Sequence, residues 1–136
     1  MNAYQAYSQL LFARADSRGV PLSGTFELTP RCNFRCKMCY IHRAEQDAAA
    51  LVREKSAAQW LDLAAACCRA GTLLLLLTGG EPLLRPDFRE IYTGCRRMGM
   101  LVSLNTNGSL LDDDTVRFLA ADPPSRVNIT LYGASA

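Results

Sequence analysis

The run "TLLLLLT" at 72–78 sets five leucines between two threonines, directly after Gly71. An unbroken apolar stretch of this length behind a helix-stop glycine suits a strand buried on both faces. Its neighbours fall into a rhythm around it. Ser56 and Gln59 carry the signature of a capping box and open a helix, "AAQWLDLAAACCRA", that Gly71 closes. Beyond the leucines, "RPDFREIYTGCRRMG" (85–99) reads as a helix with Pro86 and Asp87 in its first turn and Arg96 and Arg97 in its last, as the helix dipole favours. "MLVSLN" (100–105) reads as a strand, "DDDTVRFLAA" (112–121) as a helix with an acidic start, and "RVNITLY" (126–132) as a further strand. Upstream, "TFELT" (25–29) alternates as a first strand, and residues 3–15 form a helical pattern with Tyr4, Tyr7 and Leu11 on one face. Strands alternating with helices predict an α/β fold with a parallel sheet.

Strand side chains alternate between faces. Thr25, Glu27 and Thr29 share one face of the first strand; Ser103 and Asn105 share one of the third; Asn128, Thr130 and Tyr132 share one of the fourth. The opposite faces are apolar, with Phe26 and Leu28, Val102 and Leu104, and Val127, Ile129 and Leu131. The apolar face is the one for helices to cover, and the polar face then either lines a lumen that holds a ligand or is the wet face of a half-exposed sheet.

A net charge of +2 gives no argument for a nucleic-acid surface. The longest aliphatic run falls far short of the roughly 18 residues a membrane span needs, and the N-terminus lacks the apolar region of a signal peptide. The expectation is a cytoplasmic protein. There, six cysteines are metal ligands, catalytic groups or buried thiols rather than disulfides.

Three of those cysteines crowd into "RCNFRCKMCY" (31–40) as Cys32, Cys36 and Cys39, a C-x3-C-x2-C loop behind the first strand. Thiolates are soft ligands for iron–sulfur clusters, zinc or Cu(I). Three donors would leave one iron of a [4Fe–4S] cluster open to a small molecule. Arg31, Arg35, Lys37 and Arg43 surround the loop and favour thiolate over thiol. The rival is a zinc site in which His42 supplies a fourth ligand. Cys67, Cys68 and Cys95 fall inside helices and read as core thiols, and Trp60 as a core residue.

The cysteine loop with Tyr40, "LTGGEP" (77–82), "NTNG" (105–108) and "ITLYG" (129–133) together resemble the radical S-adenosylmethionine (SAM) superfamily, the last three standing at strand ends. The resemblance spans about residues 24–133, and "CNFRCKMCY" with "TLYGAS" looks like members with an extra C-terminal cluster domain of the SPASM type. Met38 stands where the family often has an aromatic residue.

The resemblance implies the N-terminal four βα units of a partial TIM-like barrel. It implies a [4Fe–4S] cluster on Cys32, Cys36 and Cys39, with SAM chelated at the open iron. Gly79, Gly80 and Glu81 would meet the SAM ammonium, with Pro82 holding Glu81 extended. Asn105 and Thr130 are candidates for further SAM contacts, and Tyr40 packs near cluster or adenine or else belongs to the core. It implies an enzyme that makes a 5′-deoxyadenosyl radical for hydrogen abstraction, fed by an electron donor such as a flavodoxin or ferredoxin. A peptide or protein substrate is expected, and no nucleic acid or membrane. Residues 1–23 are expected to be a helix and connector, and 24–136 a partial, truncated core domain. The alternatives are a Cys3His zinc module or an inactive truncated fragment.

Overall fold

The computed structural model describes residues 3–41 and 43–130. The side chain of Tyr4, the whole of His42, and Leu131 and Tyr132 of the expected last strand lie outside what it describes. Four strands, β1 (Ser23–Glu27), β4 (Leu74–Thr78), β5 (Leu101–Thr106) and β6 (Arg126–Ile129), form one parallel sheet in the order β1-β4-β5-β6. Helices α3 (Ala57–Ala70), α4 (Phe88–Arg97) and α5 (Asp113–Ala121) connect them. The predicted α/β architecture with a parallel sheet is therefore the observed one; among the described residues, three of the four strands are followed by a helix that packs on the sheet. Preceding it is α1 (Ala3–Asp16). Between β1 and α3 lie α2 (Ala48–Arg53) and a small parallel pair, β2 (Arg31–Cys32) with β3 (Arg43–Ala44).

Local chemistry sets the boundaries. Ser56 accepts from the Gln59 amide at 3.3 Å and the Gln59 side chain accepts from the Ser56 amide at 2.9 Å, so the capping box is closed. Gly71 ends α3 in the left-handed region, at φ 104°, and a Cβ there would lie 2.4 Å from Val20. Helix α4 starts at Phe88, later than the sequence suggested. Asp87 occupies its N-cap position but makes no cap bond, because its carboxylate takes two bonds from Arg85 at 2.9 and 2.7 Å.

The helices cover one face of the sheet. Phe26, Leu28, Leu75, Leu77, Val102 and Leu104 are buried there against Trp60 and Ala64 of α3, Ile91, Tyr92 and Cys95 of α4 and Leu119 of α5. Each fully buried aliphatic side chain contributes about 1.5–3 kcal/mol. Trp60 packs against Phe26 with ring centroids 4.9 Å apart and the planes tilted by 34°, and burial pushes the Cys95 thiol up to about 11, as expected of an inert core thiol. The expectation that the leucine strand is buried on both faces is corrected. Leu75 and Leu77 are sealed, but Leu74, Leu76 and Thr78 are only half-buried, because among the described residues no helix covers the second face. That face carries the polar residues Thr25, Ser103, Asn105 and Asn128. Along β6 all four residues are exposed. Among the described residues, no helix is long and apolar enough to cross a membrane.

A cysteine-lined cleft at the strand ends

Parallel strands deliver everything after their C-terminal ends to one rim of the sheet. The loop after β1 carries the three cysteines. The loop after β4 carries Gly79–Pro82, the loop after β5 carries Asn107, and Thr130 follows β6. A cleft of about 330 Å³ opens at this rim. The cysteine loop lines it with Cys32, Cys36, Met38, Cys39 and Tyr40, and the strand ends line it with Thr78, Gly80, Asn105, Thr106, Asn107 and Thr130. Asn105 accepts a 2.7 Å bond from Asn128 across the β5–β6 rung. Tyr40 is 83% exposed. Its hydroxyl donates to Glu27 at 3.0 Å, and that bond, followed by the charge of Glu27, holds the phenol above its ordinary pKa.

Gly79 and Gly80 are needed for close approach, but the approach is to the chain's own backbone. A Cβ on Gly79, whose φ is 137°, would lie 2.3 Å from the Thr29 carbonyl oxygen, and one on Gly80 would lie 2.2 Å from that of Arg31. The Gly80 amide donates to Thr29 at 2.7 Å and the Glu81 amide to Arg31 at 2.9 Å. The two glycines thus lay the GGEP turn flat on the stem of the cysteine loop.

Of the four GGEP residues, Gly80 lines the cleft. Glu81 was expected to face the ligand, and its carboxylate is instead fully buried. It accepts from Thr106 Oγ1 at 2.9 and 3.0 Å, from the Asn107 amide at 2.7 Å and from the Leu83 amide at 3.0 Å. Desolvating a carboxylate is costly, and these donors offset the cost. Pro82 is buried as well and opens a short 3-10 turn (Pro82–Leu84), and Glu81 before it has the expected extended backbone, at φ −134° and ψ 105°.

The positive charge around the cysteines is also distributed differently from the expectation. Arg31 is buried and points away into an ion network. Its guanidinium meets Glu54 at 2.7 and 3.2 Å, while Glu54 also takes Arg85 at 3.2 Å and the Thr29 hydroxyl. Arg85 reaches on to the Leu28 carbonyl at 2.9 Å. Desolvation pushes the Glu54 carboxyl up, but the bonds from Arg31 and Thr29, with the charges of Arg31 and Arg85, outweigh it and leave the pKa below its ordinary value. Arg43 pairs with Asp47 at 3.4 Å. Arg35 and Lys37 stay exposed on the loop.

Glu54 and Arg85 shape this rim without having been given a role in the sequence; Thr29 was placed on the polar face of the first strand, and Thr106 and Asn107 stand inside the NTNG motif with no role assigned. Thr106 had a further signal. Alternation along β5 puts it on the apolar face with Leu104, and a threonine in a core needs a polar partner.

All six cysteines are free thiols. Cys32, Cys36 and Cys39 share one cleft wall within eight residues, a soft donor set of the kind an iron–sulfur cluster takes. Among the described residues, no group of three His, Cys, Asp or Glu side chains stands in the arrangement of a metal-ion site. The residues fit a cluster by their chemistry, and His42, the fourth ligand of the zinc alternative, lies outside the described residues.

Comparison with known proteins places this architecture. A family model described as the Radical SAM superfamily matches residues 26–136. The AdoMet-dependent heme synthase of Methanosarcina barkeri is 35% identical over 111 residues, covering 82% of this chain and 31% of that protein. The PqqA peptide cyclase of Streptomyces rochei is 32% identical over 119 residues, covering 85% and 31%. Among solved structures, SuiB of Streptococcus suis bound to S-adenosylmethionine shares the fold at a TM-score of 0.64 and 22% identity, over 85% of this chain and 26% of that one. The same enzyme bound to its precursor peptide SuiA gives 0.65 and 20%, over 93% and 28%. The chain thus spans about a third of the length of these curated relatives, and its sheet corresponds to part of a radical SAM barrel. With a family match running from β1 through the last residue, and a cysteine loop on the rim where the strands end, the chain belongs to the radical SAM superfamily of enzymes.

Proposed function

We propose that this chain carries the cluster- and SAM-binding portion of a radical SAM enzyme. The carrying observation is a single cleft that joins three free thiols to the polar strand-end residues Asn105 and Thr130. Cys32, Cys36 and Cys39 hold a [4Fe–4S] cluster. When bound, the cluster supplies the electron that splits SAM into methionine and a 5′-deoxyadenosyl radical, which takes hydrogen from the substrate.

The chain's own residues bind and orient. The Gly80 backbone and the side chains of Asn105 and Thr130 meet the polar groups of SAM. Met38 and Tyr40 give apolar surface to its adenine and shield it from water. Glu81 and Pro82 hold the rim in shape from behind. The exposed Arg35 and Lys37 beside the cysteines suit an acidic electron donor such as a flavodoxin or ferredoxin. A peptide or protein is the substrate we favour, supported by a peptide cyclase among the relatives and a peptide-bound structure among the neighbours. Six free thiols suit the cytoplasm.

The test is the electron paramagnetic resonance spectrum of the anaerobically reconstituted, reduced protein, titrated with SAM. Saturating SAM is expected to change the cluster signal. Asn105→Ala and Thr130→Ala are each expected to weaken that response about three- to tenfold, the worth of one hydrogen bond. A cluster signal indifferent to SAM would refute the SAM site.

A further inference from the structure

The Asn107 side chain is locked in one orientation by a closed ring of hydrogen bonds. Its Oδ1 accepts from the Ser109 amide at 2.9 Å and from Ser109 Oγ at 2.7 Å. Ser109 Oγ in turn accepts from Asn33 Nδ2 at 2.8 Å. Asn33 Oδ1 closes the ring by accepting from Asn107 Nδ2 at 2.8 Å. The backbone beneath is fixed as well, because the Asn107 amide donates to the buried Glu81 carboxylate at 2.7 Å. An amide nitrogen has two hydrogens, and the ring uses one. The other faces Cys32 Sγ at 3.8 Å.

Cys32 Sγ also accepts from the Phe34 backbone amide at 3.4 Å. Among the described residues, neither Cys36 Sγ nor Cys39 Sγ receives an N–H donor. Among the described residues the three sulfurs are therefore inequivalent, and Cys32 is the one that N–H groups face.

We propose that Asn107 is a positioning and tuning residue for the cluster. It braces the cysteine loop against the loop after β5 through Asn33 and Ser109, and its free N–H makes Cys32 the electron-poor ligand. This rests on the cluster reading above. An N–H on a cluster sulfur stabilises the extra negative charge of the reduced state and so raises the reduction potential. The same contact pins one thiolate from the far side of the cleft, so loop geometry and cluster potential are set by one side chain.

The experiment is a redox titration of the anaerobically reconstituted protein, following the reduced-cluster signal, with iron content measured beforehand. Asn107→Ala is expected to take up iron and to shift to a more negative potential. The ratio of reduced to oxidised cluster at fixed poise should fall about three- to tenfold, the tenfold case corresponding to about 59 mV for one electron. Asn107→Asp, which keeps an acceptor for Ser109 but puts a carboxylate beside the sulfur, is expected to shift further the same way. Ser109→Ala, which loosens the ring but leaves the amide donor, is expected to stay nearer the wild-type value than either. Iron-loaded Asn107 variants at the wild-type potential, or Ser109→Ala shifting as far as Asn107→Ala, would overturn the tuning role while leaving the cluster intact. Folded Asn107→Ala and Asn107→Asp proteins that both lack iron would reduce Asn107 to a structural brace and overturn it too. Wild-type protein that takes up no iron would instead overturn the cluster reading, and this inference with it.

Discussion

Glu81→Ala is expected to destabilise the protein by about 3 kcal/mol in urea unfolding, even with no cofactor present. The carboxylate is fully buried and is the acceptor for the Asn107 amide, the Leu83 amide and the Thr106 hydroxyl. Removing it strands these donors, at about 1–3 kcal/mol for each that water cannot reach. Glu81→Gln keeps the volume but presents an NH2 group to donors and loses the charge, so about half the effect is expected. Were Glu81 chiefly a cofactor ligand, both variants would leave the unliganded protein within about 0.5 kcal/mol of wild type, as surface substitutions do. The measurement therefore separates a residue that builds the rim from one that touches what binds there.

A loss of similar size is expected for Glu54→Ala, by a different route. Glu54 neutralises the guanidinium of Arg31, whose side chain is only 9% exposed, and shares with Asp87 that of Arg85, 4% exposed, so it is Arg31 that the substitution leaves without its carboxylate. Breaking a buried ion pair from one side leaves uncompensated charge and costs about 3–5 kcal/mol. Arg31 adjoins Cys32, so the variant should also loosen the stem of the cysteine loop. A pH signature accompanies it. The folded-state pKa of Glu54 lies below its ordinary value of 4.5. Its contribution is therefore complete above that value and is lost as pH falls through the depressed one. Chemical unfolding at a series of pH values should show the wild-type advantage over Glu54→Ala shrinking below about pH 4.5. An advantage constant through that range would contradict the ion-pair account. Asp47, Asp112 and Asp122 are depressed too, so the difference between the two proteins is the quantity to read, not either curve alone.

What the sequence disclosed, and what it hid, follows the range of the interactions. The capping box at Ser56 and Gln59 and the stop at Gly71 are made by residues within a turn of each other, so their letters suffice. The three cysteines lie on one short loop, and their shared chemistry is legible for the same reason. The GGEP turn was legible as a motif and misleading in its geometry. A carboxylate after two glycines at a strand end suggests a group offered to a ligand. The partners that turn Glu81 inward are Thr106, at the end of β5, and Asn107, in the loop that follows it, and no local pattern links them to Glu81. The same holds for Arg31, which reads as charge beside the cysteines until Glu54 and Arg85 meet it from elsewhere in the chain. The leucine run misled through composition. Five leucines suggest two buried faces, yet burial depends on what packs against each face, and the helices pack on one. Helix α2, at six residues, and the two-residue strands β2 and β3 are too short to leave a periodicity.

The central claim is that Cys32, Cys36 and Cys39 together hold an iron–sulfur cluster, and its most direct test is iron and acid-labile sulfide per chain after anaerobic reconstitution, measured side by side for wild type and for the variant with all three replaced by alanine. The account predicts about four irons with matching sulfide in the wild type and essentially none in the variant. A variant that keeps the full iron and sulfide complement, or a wild type that binds only zinc, would contradict it.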